Sequence, residues 1–249
     1  MNNKQIEIFF QLHQGIPREG PGDSESTKNA FLKLRDLPPN PHIIDIGCGP
    51  GFQTLDLASL TDGTIIAIDN HDIYVNELKQ QVLQQGLSEK ITVINADMFA
   101  LDFPDATFDV IWAEGSIYIL GFENGLKQWK PLLNQRGYLV ASELTWLKHD
   151  APKELKEFWS VGYPAMQDIE GNLKIIQNSG YKIIDYFILA ESAWWNHYHQ
   201  PLEKKLQGLR KYYQNDIEAL EVINMEQLEI DMYRKYSEYY SYVFYIMQK

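Results

Sequence analysis

The sequence is short of cysteine, of positive charge and of long apolar runs, and each shortage removes a class of protein. One cysteine, Cys48, permits no intramolecular disulfide and no cysteine-based metal cluster. That usage fits a reducing compartment, so a cytoplasmic location is expected. No stretch reaches the ~18 consecutive apolar residues of a membrane-spanning helix. The opening MNNKQIEIFFQLHQG has neither the apolar run nor the small-residue cleavage site of a signal peptide. Basic residues number 22 against 34 acidic ones, a formal charge of −12. Such a surface repels phosphate backbones and anionic lipid, so neither nucleic acid nor a membrane is an expected partner. What is present is a 45% hydrophobic content with 13% aromatics, enough for a packed core and incompatible with disorder. There is no internal repeat and no linker-like tract, so the 249 residues are expected to form one domain.

Apolar spacing predicts a short helix over residues 1–14, from Ile6, Phe9, Phe10 and Leu12. Residues 15–23, dense in glycine and proline, predict a loop. Ala30, Phe31 and Leu34 predict a helix over 24–37, stopped at Pro38-Pro39. From residue 42 the texture alternates. Apolar runs at 42–46, 64–68, 91–95, 108–112 and 137–144 predict strands, and residues 52–60, 73–85 and 126–133 predict helices. Continuous apolar strands separated by helices mean a parallel sheet buried on both faces. Further on, 169–178 predicts a helix, 181–189 a strand, 192–238 mostly helix and 240–247 a last strand, read as core and sheet edge. The aromatic-rich residues 145–165 carry no clear period.

The strongest local signal is Asp45-Ile46-Gly47-Cys48-Gly49-Pro50-Gly51, between a predicted strand and a predicted helix. Glycines there let the backbone turn sharply beside a ligand, and the following helix offers it free N–H groups. Asp69 ends the second strand roughly 20 residues later, placed to hydrogen-bond two ribose hydroxyls. A dinucleotide site wants a third glycine one position later, where Phe52 stands, and a phosphate-binding loop wants Gly-Lys-Ser/Thr, which is absent. A ligand with a ribose, a positive charge and no phosphate suits this acidic loop better, and S-adenosylmethionine is such a ligand. A plain strand-to-helix turn, with Asp69 as a helix cap, is the simpler account of these residues; Asp69 and Asp97 together weigh against it.

DIGCGPG, Asp69, Asn95-Ala96-Asp97-Met98, Phe103-Pro104-Asp105 and Phe108-Asp109-Val110-Ile111-Trp112 together resemble the class I S-adenosylmethionine-dependent methyltransferases. Within these the chain resembles the small-molecule, quinone-biosynthesis-like branch. The Gly-Pro-Gly segment near residue 20 and residues 191–201 are similar to bacterial members of that branch. The resemblance implies an α/β, doubly wound, Rossmann-like fold. Its seven-stranded, mostly parallel sheet would have order 3-2-1-4-5-7-6, with helical and aromatic lid insertions. Residues 1–40 would be a cover segment, 41–145 the cofactor-binding core, and 146–249 the remaining sheet and lid. It also implies roles: Gly47, Cys48, Gly49 and Gly51 around the methionine moiety, with Asp45 orienting the loop. Asp69 and Asn70 would take the ribose, Asp97 and Met98 the adenine. Glu114 and Gly115 would lie near the sulfonium, and Arg18 would pair with the cofactor carboxylate. S-adenosylhomocysteine would be the product.

Methyl transfer from a sulfonium needs alignment first, and a base only if the acceptor must lose a proton. Glu114, His149 and His197 are the candidate bases. Cys48 at a helix N-terminus is a conceivable nucleophile, against which stands an ordinary buried thiol. His149, His197 and His199 have no evident converging carboxylate, so no metal is expected. Tyr118, Trp146, Trp194, Trp195 and Tyr198 are candidate acceptor-pocket residues, with core packing as the competing account. An aromatic lid favours a small apolar, aromatic or cationic acceptor. Alternatives open at this point are a non-catalytic S-adenosylmethionine-binding protein of the same fold and an NAD-dependent oxidoreductase, each as a monomer or homodimer.

Overall fold

A computed structural model describes all 249 residues. Its centre is one sheet of seven strands in the order β3-β2-β1-β4-β5-β7-β6. β1 (His42–Ile46), β2 (Thr64–Asp69), β3 (Ile91–Asn95), β4 (Phe108–Glu114) and β5 (Leu133–Trp146) run parallel. β7 (Tyr240–Gln248) lies antiparallel between β5 and β6 (Lys182–Ile188). The last strand is therefore interior and not an edge, and its alternation of Tyr, Val and Phe reflects burial on both faces. Tyr240, Val243, Phe244, Tyr245, Ile246 and Met247 are all within 1% of full burial.

The helices follow from caps and apolar stripes. α1 (Asn3–His13) opens with a capping box between Asn2 and Gln5. α2 (Ser24–Phe31) is capped by Asp23, whose carboxylate accepts from Ser26 N at 2.7 Å. α3 (Phe52–Leu60) and α4 (Asp72–Gln84) alternate with the first strands, and Gly86 at φ +67° ends α4. α5 (Phe122–Trp129) is followed by a 3₁₀ turn, α6 spans Lys153–Gly162 and α7 spans Ile169–Asn178. α8 (Glu191–Trp194), a π turn (Trp195–His199), α9 (Gln200–Tyr212) and α10 (Ile217–Tyr236) form the long insertion.

Three boundaries differ from the sequence pattern. The helix predicted over 24–37 ends at Phe31, because Lys33 and Leu34 close tight turns and Asp36 takes φ +59°. The helix predicted over 126–133 lies earlier, because Leu133 already pairs with Phe108 in the sheet. Residues 145–165, left unassigned, hold the end of β5 and α6.

Apolar clusters pack on both faces of the sheet. A third joins Ile8, Leu12 and Ile16 to Leu202, Leu206, Val222 and Ile223. Each such side chain contributes about 1.5–3 kcal/mol on burial, so α1 is firmly attached to α9 and α10. Lys4 adds ion pairs to Asp216 and Glu218 at 2.9 and 3.0 Å. The N-terminal segment and the insertion thus form one cover over the carboxyl ends of β1 and β2. No helix is long and apolar enough to cross a membrane.

Candidate functional site

The strand order reverses between β1 and β4, and a crevice opens at the carboxyl ends of strands at such a point. A cavity of about 310 Å³ lies there, at the lower end of the range for small-ligand sites. Gly47, Cys48 and Gly49 form its floor, Asp69, Asn70, His71 and Tyr74 one wall, and Glu114, Gly115 and Tyr118 another. Phe10, Arg18 and Glu19 close it from the N-terminal segment, and Met98 lines the far end.

The glycine loop requires its glycines. Gly47, Gly49 and Gly51 have φ of +77°, +52° and +93°, a region that costs L-residues with a side chain about 1–2 kcal/mol. A Cβ on Gly47 would lie 2.4 Å from Ser116 Cβ, and one on Gly51 2.1 Å from Leu78 Cδ1. Gly51 therefore serves the packing of α3 on α4 and does not line the cavity. The loop amides are already bonded. Gly47 N and Cys48 N both donate to Ile68 O at 2.9 Å, and Gly49 N donates to Asp69 Oδ2 at 3.0 Å. With these donors consumed the loop is no anion cradle.

Asp45 is fully buried behind the loop, outside the cavity. Thr54 Oγ1 donates to it at 2.6 Å, and burial pushes its carboxyl up to about 7. It fixes the start of α3 to β1. Burial pushes the Cys48 thiol well up, against the lowering expected at a helix N-terminus, so a thiolate nucleophile is disfavoured here. Asp69 accepts from Gly49 N and, at 2.9 Å, from His71 N, while each carboxylate oxygen keeps a lone pair for a ligand. Asp97 accepts from Phe99 N at 3.0 Å in a local turn and stands exposed, outside the lining formed by Ala96, Met98 and Phe99.

Glu114 is committed elsewhere. Arg18 Nη2 pairs with its Oε2, while Thr27 Oγ1 at 2.7 Å and Trp112 Nε1 at 2.9 Å donate to Oε1. Both side chains of the pair are at most 5% exposed. A carboxylate holding three donors, one of them its counterion, does not serve as a base, so the expectation for Glu114 is revised: it latches the N-terminal segment to β4. Arg18 is among the residues lining the cavity, and its Nη1 is buried without a partner. The Arg18 guanidinium rests 5.3 Å from the centre of the Phe52 ring. A Cβ on Gly22 would meet that guanidinium at 2.6 Å, which accounts for the glycine at that position.

Sequence reasoning missed Glu19, Tyr74 and Phe10. Tyr74 Oη donates to Glu19, and burial, reinforced by the charges of Glu77 and Asp69, raises the Glu19 carboxyl to about 8. The Phe10 ring stacks on His71 at 3.8 Å. The signal for Glu19 was its place beside Arg18; for Tyr74, its place one turn beyond Asp69.

Other predicted residues lie elsewhere. His149 is exposed, 3.4 Å from Asp168, and with Trp146 lines a separate shallow depression. His197 sits behind the Phe52 ring, outside the lining. Trp194 is buried, stacked on Tyr233 at 4.0 Å and donating to Ser241 Oγ at 3.0 Å. Tyr198 is buried in the cluster under α1, and Trp195 packs against Arg234 at 5.1 Å. Of the five aromatic acceptor candidates only Tyr118 faces the cavity. The other four are explained by packing.

Residues 43–137 match the methyltransferase domain family. The sterol 24-C-methyltransferase of Aspergillus fumigatus is 24% identical over 159 residues, 60% of this chain and 42% of that protein. The malonyl-[acyl-carrier protein] O-methyltransferase of Legionella pneumophila is 29% identical over 164 residues, 64% of this chain and 55% of that protein. The chain spans less than half the length of the sterol enzyme that it matches. A crystal structure of an S-adenosylmethionine-dependent methyltransferase from Geobacter sulfurreducens, complexed with S-adenosylhomocysteine, superposes with a TM-score of 0.82. It covers 97% of each chain at 17% identity, a likeness of fold. Residues 43–137 thus match the methyltransferase domain family, and the seven-stranded fold of the whole chain is that of the solved S-adenosylmethionine-dependent methyltransferase.

Proposed function

We propose that the protein transfers a methyl group from S-adenosylmethionine to a small-molecule acceptor. The observation that carries this is the buried, unpartnered Nη1 of Arg18 beside a loop whose amides are already bonded inward. Such a site asks for one carboxylate and no phosphate. S-adenosylmethionine has one carboxylate and no phosphate; NAD and ATP have phosphates and no such group in reach of a free cradle.

Arg18 would hold the cofactor carboxylate and the carbonyls around Gly47 the amino group. Asp69, with Asn70, would hold the ribose hydroxyls, and Met98 would cover the adenine, with Asp97 for its exocyclic amine. When bound, the cofactor supplies an electrophilic methyl on a cationic sulfur. The chain's own part is alignment and exclusion of water, because the leaving group is already activated. The Arg18–Glu114 latch fixes the cover segment against β4, which holds Gly115 and Tyr118 at the end where the acceptor must arrive. The single buried cysteine and the acidic surface support a small-molecule acceptor and a cytoplasmic setting, for a monomer or a homodimer.

Calorimetric titration with S-adenosylmethionine, S-adenosylhomocysteine, NAD and ATP tests this reading, with Asp69→Ala alongside. Micromolar binding of the adenosyl-sulfur ligands alone, about −8 kcal/mol, lost in Asp69→Ala, is the expected result. Binding of NAD or ATP instead, or of none, overturns it.

A further inference from the structure

Behind Gly115 and Tyr118 the cavity wall is backed by an acidic, tyrosine-rich cluster that the cofactor residues do not use. Gly115 N donates to Ser142 Oγ at 2.8 Å, which seats the end of β4 beside β5. The next residue on β5 is Glu143, 2% exposed. Tyr163 Oη donates to Glu143 Oε1 at 2.5 Å, and Oε2 is buried with no partner. The Tyr163 ring stands edge-on to Tyr118, 5.8 Å away, and Tyr118 lines the cavity. A Cβ on Gly115 would lie 3.9 Å from Tyr242 Oη. Tyr242 keeps partial exposure although its strand is interior, so its ring faces enclosed space. Burial first, then the groups of Tyr118, Glu143, Glu229 and Tyr163, push the Tyr242 phenol up.

Two carboxyl groups lie close to this cluster. Glu143 comes from β5 and Glu229 from α10, the latter with Oε1 3.8 Å from His199 Nε2. Arg18 is the only buried Lys or Arg, and Glu114 already holds it. An acceptor oxygen that must become an anion finds no free buried cation here. An ammonium would be welcomed by the tyrosine faces and by Glu143 once it ionises.

Resting on the methyl-transfer reading, we propose that this space receives the methyl acceptor and that the acceptor carries a basic nitrogen, held as its ammonium by Glu143 among Tyr118, Tyr163 and Tyr242. Glu143 Oε2 then takes one proton from the ammonium and frees the nitrogen lone pair. That pair forms the new N–C bond as the C–S bond breaks with its electrons left on sulfur. The nitrogen regains a positive charge as a methylated ammonium, and Glu143 returns its proton to solvent.

The test uses protein saturated with S-adenosylhomocysteine, titrated with a panel of alkyl and arylalkyl amines, each beside its hydroxyl and carboxylate isostere. Amines alone are expected to bind. Burial raises the Glu143 carboxyl to about 8, so it is mostly protonated at pH 7 in the empty site and must ionise to hold an ammonium. Calorimetry in buffers of different ionisation enthalpy is therefore expected to show close to one proton released per amine bound. Glu143→Gln should weaken the amines at least tenfold and abolish the proton release, with S-adenosylhomocysteine affinity unchanged. Tyr163→Phe, which removes one wall hydroxyl but keeps the carboxyl, should weaken the amines less than Glu143→Gln does and keep the proton release. Preference for the hydroxyl or carboxylate isosteres, no amine binding, or no proton release overturns the proposal. Failure of S-adenosylhomocysteine to bind strikes the cofactor reading alone; the amines are then titrated into the ligand-free protein under the same criteria.

Discussion

Glu114→Gln is the sharpest perturbation of the architecture. The variant keeps the shape of the side chain and removes its charge. Arg18 then remains a buried guanidinium, about 5% exposed, with no counterion and with Nη1 still unpartnered. Removing one member of a buried pair costs about 3–5 kcal/mol. In a chain of this size each kcal/mol lowers the melting point by about 2–4 °C, so a fall of about 6–20 °C is expected. Arg18→Met should cost a similar amount, because Glu114 keeps Thr27 and Trp112 as donors but loses its cation. The double variant should cost clearly less than the sum of the two, since it leaves no uncompensated charge. Urea denaturation of the four proteins measures the cycle. Additive costs, or a single variant within about 1 kcal/mol of the parent, would refute the latch.

Further expectations are open to direct measurement. A carboxyl held protonated in the fold but ionised in the unfolded chain loses stability as pH rises from the unfolded value near 4.5 to the folded value near 8. Glu143 should therefore make the protein less stable at pH 7.5 than at pH 5.5, by about 1.4 kcal/mol per pH unit, and Glu143→Gln should flatten that slope in denaturant titrations at several pH values. Cys48 should resist iodoacetamide in the native protein and react once urea has unfolded it; rapid native labelling would contradict its burial. Gly51→Ala should lower stability by at least about 2 kcal/mol, from its positive φ and the clash with Leu78. Trp194→Ala should cost about 3–5 kcal/mol as a core truncation; an effect confined to acceptor KM, with stability intact, would return Trp194 to the pocket.

The sheet and the glycine loop were legible because their signals are local. Apolar runs such as Ile43-Ile44 and Ile65-Ile66 can only be buried strands, and glycines between a strand and a helix mark a turn. The fate of Glu114 was not legible, because its partner Arg18 lies far away in sequence and only the closed cover brings them together. The aromatic insertion misled for a different reason. Adjacent tryptophans look alike in sequence whether they face a core or a ligand. The π turn at Trp195–His199 widens the helix, so that Trp194, Tyr198 and His199 are all buried. A regular helical period would not group those three. Glu143 escaped notice because an acidic residue inside an apolar strand gives no sign of whether it ends in solvent or in a closed space.

The place of β7 in the sheet bears on how the chain comes to be folded during synthesis. β5 and β6 never touch, and each is completed only by pairing with residues 240–248. While the ribosome is still adding α8 to α10, β5 exposes a long open flank and β6 has no strand partner. The earlier strands can assemble as they emerge, but this side of the sheet must wait for residues 240–248. That interval leaves two unsatisfied strand edges with an aromatic surface between them, the state in which a nascent chain most needs protection from its neighbours.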